Sequence, residues 1–199
     1  MSMDISVAWD ELKKKVSECQ KCGLCKTRNN TVFGEGPEVN CKVVIVGEGP
    51  GADEDASGRP FVGKAGQLLT NILENGGNIP RNRLYITNIV KCRPPENRNP
   101  TREESQACIE YLEAQILLLH PEIVVTLGNV PTQFLLKTTQ GITNLRGQWL
   151  DWRGIKMFPM FHPSYLLRND SREVGSPKYL TWQDVKSLKE KIDTLQQGS

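Results

Sequence analysis

The chain has 199 residues, 38% of them hydrophobic and 24% charged, as expected of a soluble globular protein with one core. A formal net charge of +2 is too mild to argue for nucleic-acid binding by itself, so any DNA-binding face has to come from local clustering. No apolar run approaches transmembrane length, and "MSMDISVAWDELKKKV" lacks the apolar core of a signal peptide, which leaves a cytoplasmic protein without membrane contact as the expectation. In chain order, residues 4–18 are predicted as a helix and "KVVIVGE" (42–48) as the first strand. Residues 64–75 carry Leu68, Leu69, Ile72 and Leu73 on one stripe and stop at Gly76-Gly77, which predicts a helix. A second strand is predicted over "LYITNIV" (84–90), and a long helix over 101–119, opened by the capping box "TREE". A third strand over "EIVVTLG" (122–128), a helix over 129–138, a fourth strand over "KMFPMF" (156–161) and a closing helix over 178–195 complete the order. The near-continuous apolar runs suit strands buried on both faces. The alternation predicts a single α/β domain over 1–199: a three-layer α/β/α fold around a central four-stranded, mostly parallel sheet.

Two glycine motifs suggest nucleotides. "GRPFVGKAG" (58–66) fits most of a P-loop, but Ala65 stands where a Ser or Thr would bind magnesium. The loop also lies ten residues beyond its strand, and "DED" (53–55) would repel phosphate. "GEGPGA" (47–52) fits a dinucleotide fingerprint, which requires a helix to open at once; "DEDASGRP" reads as loop, with no helix until about Lys64. What the segment does present is Phe61, at the sheet edge where ligands bind in open α/β folds. It either stacks on a flat ligand or plugs the loop into the core.

Six cysteines in a reducing compartment read as free thiols or metal ligands. "CQKCGLC" supplies Cys19, Cys22 and Cys25; Cys92 follows the second strand and Cys108 lies in the next helix. Two from one turn and two from a distant segment can close a four-cysteine site for zinc or an iron–sulfur cluster, and spacing does not choose between them. Cys41 reads as a core thiol. His120 closes a helix and reads as structural. His162, in "FHPSYLLR", follows the last strand and is an electrophile or acid–base candidate. Asn88 sits within an apolar strand, where its amide needs a hydrogen-bond partner: a loop, or one edge of a nucleobase.

Together, "CQKCGL" and "TRNNTVFGEG" (19–36), "VGEGPGADED..GRPFVGKAGQLL" (46–69), "ITNIVKCRPPENRNP" (86–100), "EESQACIEYLEAQI" (103–116) and "FHPSYLLR" (161–168) resemble the type 4, iron–sulfur uracil-DNA glycosylases. The resemblance spans most of the chain. It implies a 4Fe-4S cluster on Cys19, Cys22, Cys92 and Cys108, with Cys25 a departure that could compete, and zinc the lesser alternative. It implies a partner, uracil-containing DNA in single or double strands, acted on by a monomer that flips uracil into a pocket and hydrolyses its N-glycosidic bond. Phe61 would stack on the base and Asn88 would pair with its edge, while Glu48 and Gly49 would shape the wall near C5. His162 would stabilise the departing base anion, and Glu54, with Asp53 and Asp55 as rivals, would position water or the sugar cation. The segment 163–170, with Ser164, Leu166, Leu167 and Arg168, would press into the minor groove, one leucine filling the vacated space and Arg168 touching phosphate. Lys91, Arg93 and Arg98 would add phosphate contacts. The competing readings are a non-catalytic, metal- or cluster-containing nucleic-acid-binding protein and a dinucleotide-dependent oxidoreductase.

Overall fold

The computed structural model describes residues 5–197. Helix α1 (Ile5–Ser17) buries Ala8, Trp9, Leu12 and Val16, a stripe at three- and four-residue spacing. Strand β1 (Val43–Gly47) follows, then α2 (Ala52–Ser57) and α3 (Lys64–Asn71), which runs on as one wider turn over Ile72–Gly76. Next come β2 (Tyr85–Asn88), α4 (Arg102–Leu119), β3 (Ile123–Leu127), α5 (Asn129–Leu136), α6 (Ile142–Leu145), β4 (Leu150–Trp152), β5 (Ile155–Met160), α7 (Pro163–Leu167) and α8 (Pro177–Gln197). The capping box forms as predicted: Glu104 N–H donates to Thr101 Oγ1 at 3.2 Å, and Thr101 N–H donates to the Glu104 carboxylate at 2.8 Å. A cap of this kind is worth about 1 kcal/mol.

Strand order is β2-β1-β3-β5-β4. The first four are parallel, and β4 runs antiparallel to β5. The sheet therefore has five strands where four are expected. The addition is three residues long and pairs through a two-residue turn at Arg153 (φ 55°) and Gly154 (φ 82°). Two consecutive left-handed residues match the twist of a tight hairpin, so "LDWRGIK" folds back on itself.

Strand residues alternate between two cores. Val44 and Val46 face Trp9, Leu12 and Leu112 from α1 and α4. Val43 and Ile45 face Leu69 of α3 and Val185 and Leu188 of α8. This places helices on both sides of the sheet. The chain leaves β1 toward β2 on one side and returns to β3 on the other, so the carboxyl ends of β1 and β3 flank a crevice of the kind that binds ligands in open sheets.

A second correction falls on residues 52–57, which form α2 and not a loop. Glu54 explains it: its Oε2 accepts from Gly51 N–H at 3.1 Å, and three acids in the first turn favour the positive end of the helix. These acids occupy the place of a pyrophosphate, and they, rather than a missing helix, argue against a dinucleotide.

Candidate active site

A cleft of about 650 Å³ opens at the carboxyl edge of the sheet, with Glu48, Glu54, Phe61, Asn88, His162 and Arg168 in its walls. Asn88 is the last residue of β2, and not a mid-strand residue as the apolar run suggests. Its side chain is buried, yet Oδ1 has no hydrogen-bond partner among the described residues. Trp9 Nε1 is the other such atom, and its ring is set edge-on to Phe33 and Tyr85. An unpaired buried acceptor costs about 1–3 kcal/mol, so it calls for a ligand-side explanation.

Gly47 lies opposite Asn88 in the sheet register. A β-carbon on Gly47 would overlap Asn88 Oδ1 and stand 2.5 Å from Phe61 Cζ. Amide and aromatic ring therefore meet over the bare backbone of β1. Phe61 in turn lies 6.0 Å, centroid to centroid, from the His162 ring, the planes tilted by 37°. Three side chains far apart in sequence thus share one wall. The Gly47→Ala variant is expected to lose at least about tenfold in kcat/KM on a uracil substrate and about 1–3 kcal/mol of stability, because the inserted methyl must displace the two buried groups at the pocket floor; steady-state kinetics alongside calorimetry checks this.

Phe61 carries φ of +52°, a left-handed backbone that costs a non-glycine residue about 1 kcal/mol or more. Its neighbours hold it there. Arg81 Nη2 donates to the Pro60 carbonyl at 2.7 Å, and Glu54 Oε1 accepts from Val62 and Gly63 N–H at 2.8 and 2.9 Å. Phe61 is buried, packing with Leu69, and lines the cleft. The expectation of a core plug is met, and the same side chain stands in the cleft wall. Nothing in the sequence singles out Arg81, which stands in a polar turn with no motif around it.

His162 opens α7 as its N-cap. Its Nδ1 accepts from Ser164 N–H at 3.1 Å and lies 2.8 Å from Ser164 Oγ. An Nδ1 that accepts leaves the proton on Nε2. Burial first, and then the Arg168 guanidinium, push its pKa down to about 4, against a smaller opposing effect of Glu54. The ring is a neutral donor at ordinary pH. Gly128, at φ +88°, passes close beneath it: a β-carbon there would stand 3.0 Å from His162 Cβ.

The three acids separate. Asp55 is buried and accepts from Asn29 N–H at 2.9 Å and Asn29 Nδ2 at 2.7 Å, so it ties the 29–30 segment to α2. Asp53 is exposed. Glu54 alone of the three lines the cleft, with one oxygen committed to two N–H groups and the other to one. Glu48 is half-buried, and burial raises its carboxyl pKa. Gly49 follows it in the wall.

In the 163–170 segment, Leu166 is 1% exposed and packs with Ile142 and Phe161. It is a core residue, which removes it as a wedge; one turn of helix turns it inward. Leu167 is 47% exposed and Arg168 is exposed beside the cleft. Lys91 is likewise no phosphate contact, since it is buried. Burial lowers its pKa to about 7, while Nζ donates to Thr87 Oγ1, the Asn88 carbonyl and Gln115 Oε1 at 2.6, 2.9 and 2.7 Å. Arg98 is paired in bidentate fashion with Glu104, and Arg93 Nε donates to Asn97 Oδ1.

Cys19, Cys22, Cys25, Cys92 and Cys108 line one cavity between the end of α1, the start of α4 and the loop after β2. Cys41 is elsewhere, its thiol on the Val43 carbonyl at 3.2 Å, as expected of a core thiol. Among the described residues no three metal-binding side chains close on a single ion. Two donors are aimed at the sulfurs. Arg28 Nη1 lies 3.2 Å from Cys92 Sγ, and Lys91 N–H lies 3.3 Å from Cys108 Sγ. Burial raises Cys108 to about 11, and raises Cys92 against the opposing Arg28.

Residues 33–186 match the family described as the uracil DNA glycosylase superfamily. The chain is 46% identical over 180 residues to the type-4 uracil-DNA glycosylase of Thermotoga maritima, covering 89% of this chain and 91% of that one. It is 41% identical over 168 residues to the type-4 uracil-DNA glycosylase of Sulfurisphaera tokodaii, covering 80% and 76%. With the type-5 uracil-DNA glycosylase of Pyrobaculum aerophilum it shares 30% identity over 151 residues, 68% and 66% of the two chains.

Proposed function

We propose that this chain, which belongs to the uracil DNA glycosylase superfamily, excises uracil from DNA by reading the flipped base in the cleft with Asn88, Phe61 and His162. The observation that carries the reading is the orphaned, buried Asn88 Oδ1 at the cleft floor. Uracil supplies an N3–H donor for that oxygen and an O4 acceptor for the amide N–H. Cytosine presents the reverse order, so its entry would leave buried groups facing like partners. The Phe61 ring would bear on the face of the base.

Cleavage of the N-glycosidic bond leaves the electron pair on the base and positive charge on the sugar. His162, with its proton on Nε2, would donate to O2 as that charge develops, and its neutrality means that the imidazole polarises the oxygen without giving up a full proton. The Glu54 carboxylate would steady the sugar cation or an incoming water from the cleft wall. Leu167 would fill the gap in the stack, and Arg168, next to Ser164, would meet phosphate. A single-stranded uracil oligonucleotide incubated with the protein and then treated with alkali should break at the uracil; an intact strand would leave only a nucleic-acid-binding role.

The cysteine cavity fits a 4Fe-4S cluster by the chemistry of its donors: thiols from two distant segments, and two N–H groups aimed at sulfur, which accepts best as thiolate. Cys19, Cys22, Cys92 and Cys108 would hold it, and it would act as a clamp joining the N-terminal segment to the loop after β2. The purified protein is expected to be brown. Serine at any of those four should bleach the visible absorption, whereas Cys25→Ser should keep it; the opposite result for Cys19 and Cys25 would move the ligand set to Cys22 and Cys25.

A further inference from the structure

Lys91 has no place in the uracil chemistry, yet it is the most unusual charge in the molecule. It is 1% exposed, and among the described residues no carboxylate bonds it. Its three contacts are oxygen acceptors: Thr87 Oγ1, the Asn88 main-chain carbonyl and Gln115 Oε1. The Thr87 hydroxyl can give its own proton to the Phe33 carbonyl at 3.0 Å, and Gln115 Nε2 donates to that carbonyl and to Tyr85. Three acceptors use the three donors of an ammonium. At its other end, the Lys91 main-chain N–H points at Cys108 Sγ. Gln115 and Cys108 are both on α4. One residue therefore binds α4 twice and the carbonyl of Asn88 once.

β2 lies at the edge of the sheet, and past Asn88 the chain stays beside β1 for two residues, Ile89 N–H donating to the Gly47 carbonyl at 2.9 Å and Val90 N–H to the Glu48 carbonyl at 3.2 Å. From one side, the amide is registered by the Gly47 backbone. We propose that Lys91 is a positioning residue for uracil recognition, its buried ammonium clamping the Asn88 carbonyl to α4 so that the side-chain amide keeps one orientation at the cleft floor. The consequence is specific. Loss of the ammonium leaves the Asn88 peptide held at one end alone, by Ile89 N–H on the Gly47 carbonyl, and the loosened amide degrades base reading while the groove that meets the DNA backbone stays as it is. This rests on the reading of Asn88 as the base-contacting amide.

The test is the affinity of Lys91→Met for free uracil, measured by calorimetry, beside its affinity for an undamaged single strand and its visible absorption. The expected result is at least a tenfold weaker uracil complex and a raised KM for uracil DNA, with undamaged-strand affinity within twofold and the absorption per chain retained. Uracil affinity within twofold of wild type would overturn the proposal. So would parallel loss of uracil affinity, strand affinity and absorption, which marks a merely structural lysine. Thr87→Val, which removes one acceptor from a buried strand without changing its shape, is expected to weaken uracil binding three- to tenfold; no change there would overturn the proposal even if Lys91→Met does not fold. Failure of the wild type itself to bind uracil would instead remove the reading of Asn88, and the proposal with it.

Discussion

Replacing His162 with alanine is expected to lower kcat about 10²–10³-fold, the usual loss when one donor to a developing anion is removed, while DNA affinity stays within about threefold. Geometry sets this expectation. Ser164 N–H occupies Nδ1, so only Nε2 can donate, and the ring shares a wall with Phe61. A donor of this kind contributes where charge appears, in the transition state, and little to the neutral ground state. Single-turnover rates and strand affinities on the same oligonucleotide separate the two. Equal loss in both would assign His162 to binding or folding.

The same residue fixes a pH signature. With its pKa pushed down to about 4, His162 carries no charge through the neutral range, and kcat should show no limb from it between about pH 5 and 8. Stability has the opposite sensitivity. A histidine whose folded pKa lies below its unfolded value of about 6.5 favours folding fully above that value. The contribution drains as the pH falls from about 6.5 toward 4, because the unfolded chain takes up the proton first. The urea midpoint of the wild type should therefore fall more steeply between about pH 7 and 5 than that of the His162→Ala variant; equal slopes would show that the ring protonates freely in the fold.

What the sequence made legible follows the physics of each signal. The parallel strands are legible because Val and Ile in unbroken runs have no other economical place than a sheet covered on both faces. His162 is legible because it lies two residues past the last apolar strand. Helix α2 is not: three acids and three glycines in "GPGADEDASG" carry the composition of a loop, and only the reach of Glu54 to Gly51, Val62 and Gly63 makes one turn and a half worth forming. Strand β4 escapes because three residues hold too few alternations to show a period. Leu166 and Leu167 are adjacent and chemically identical, so only the helical turn decides which is core. Lys91 is the sharpest misreading. Between an apolar strand and "CRPPENR" it looks like the first of a basic cluster. The oxygens that receive it come from Thr87, from the Asn88 carbonyl and from Gln115, the last on a helix 24 residues away, and no local pattern announces them.

Asn88→Ala is expected to lower kcat/KM on uracil DNA by about 10²–10³, since two buried hydrogen bonds of about 1.5–2 kcal/mol each disappear from the complex. The free protein should respond differently. Oδ1 has no partner among the described residues, so alanine removes an unsatisfied buried acceptor and breaks no bond to it. The thermal midpoint is therefore expected to hold or to rise as activity falls, a divergence that an ordinary core asparagine would not show, because its removal destabilises. Selectivity should fall too. In the wild type, on this reading of Asn88, a fixed acceptor would confront the N3 lone pair of cytosine, and a fixed donor would confront its amino group. With alanine neither clash exists, so the ratio of uracil to cytosine binding in the cleft should shrink toward what shape and stacking on Phe61 supply, about tenfold or less. Competition of free uracil and cytosine against a uracil oligonucleotide measures that ratio directly. A variant that keeps the wild-type ratio would mean that the amide faces away from the base, and that the unpaired oxygen beside Gly47 and Phe61 has another partner.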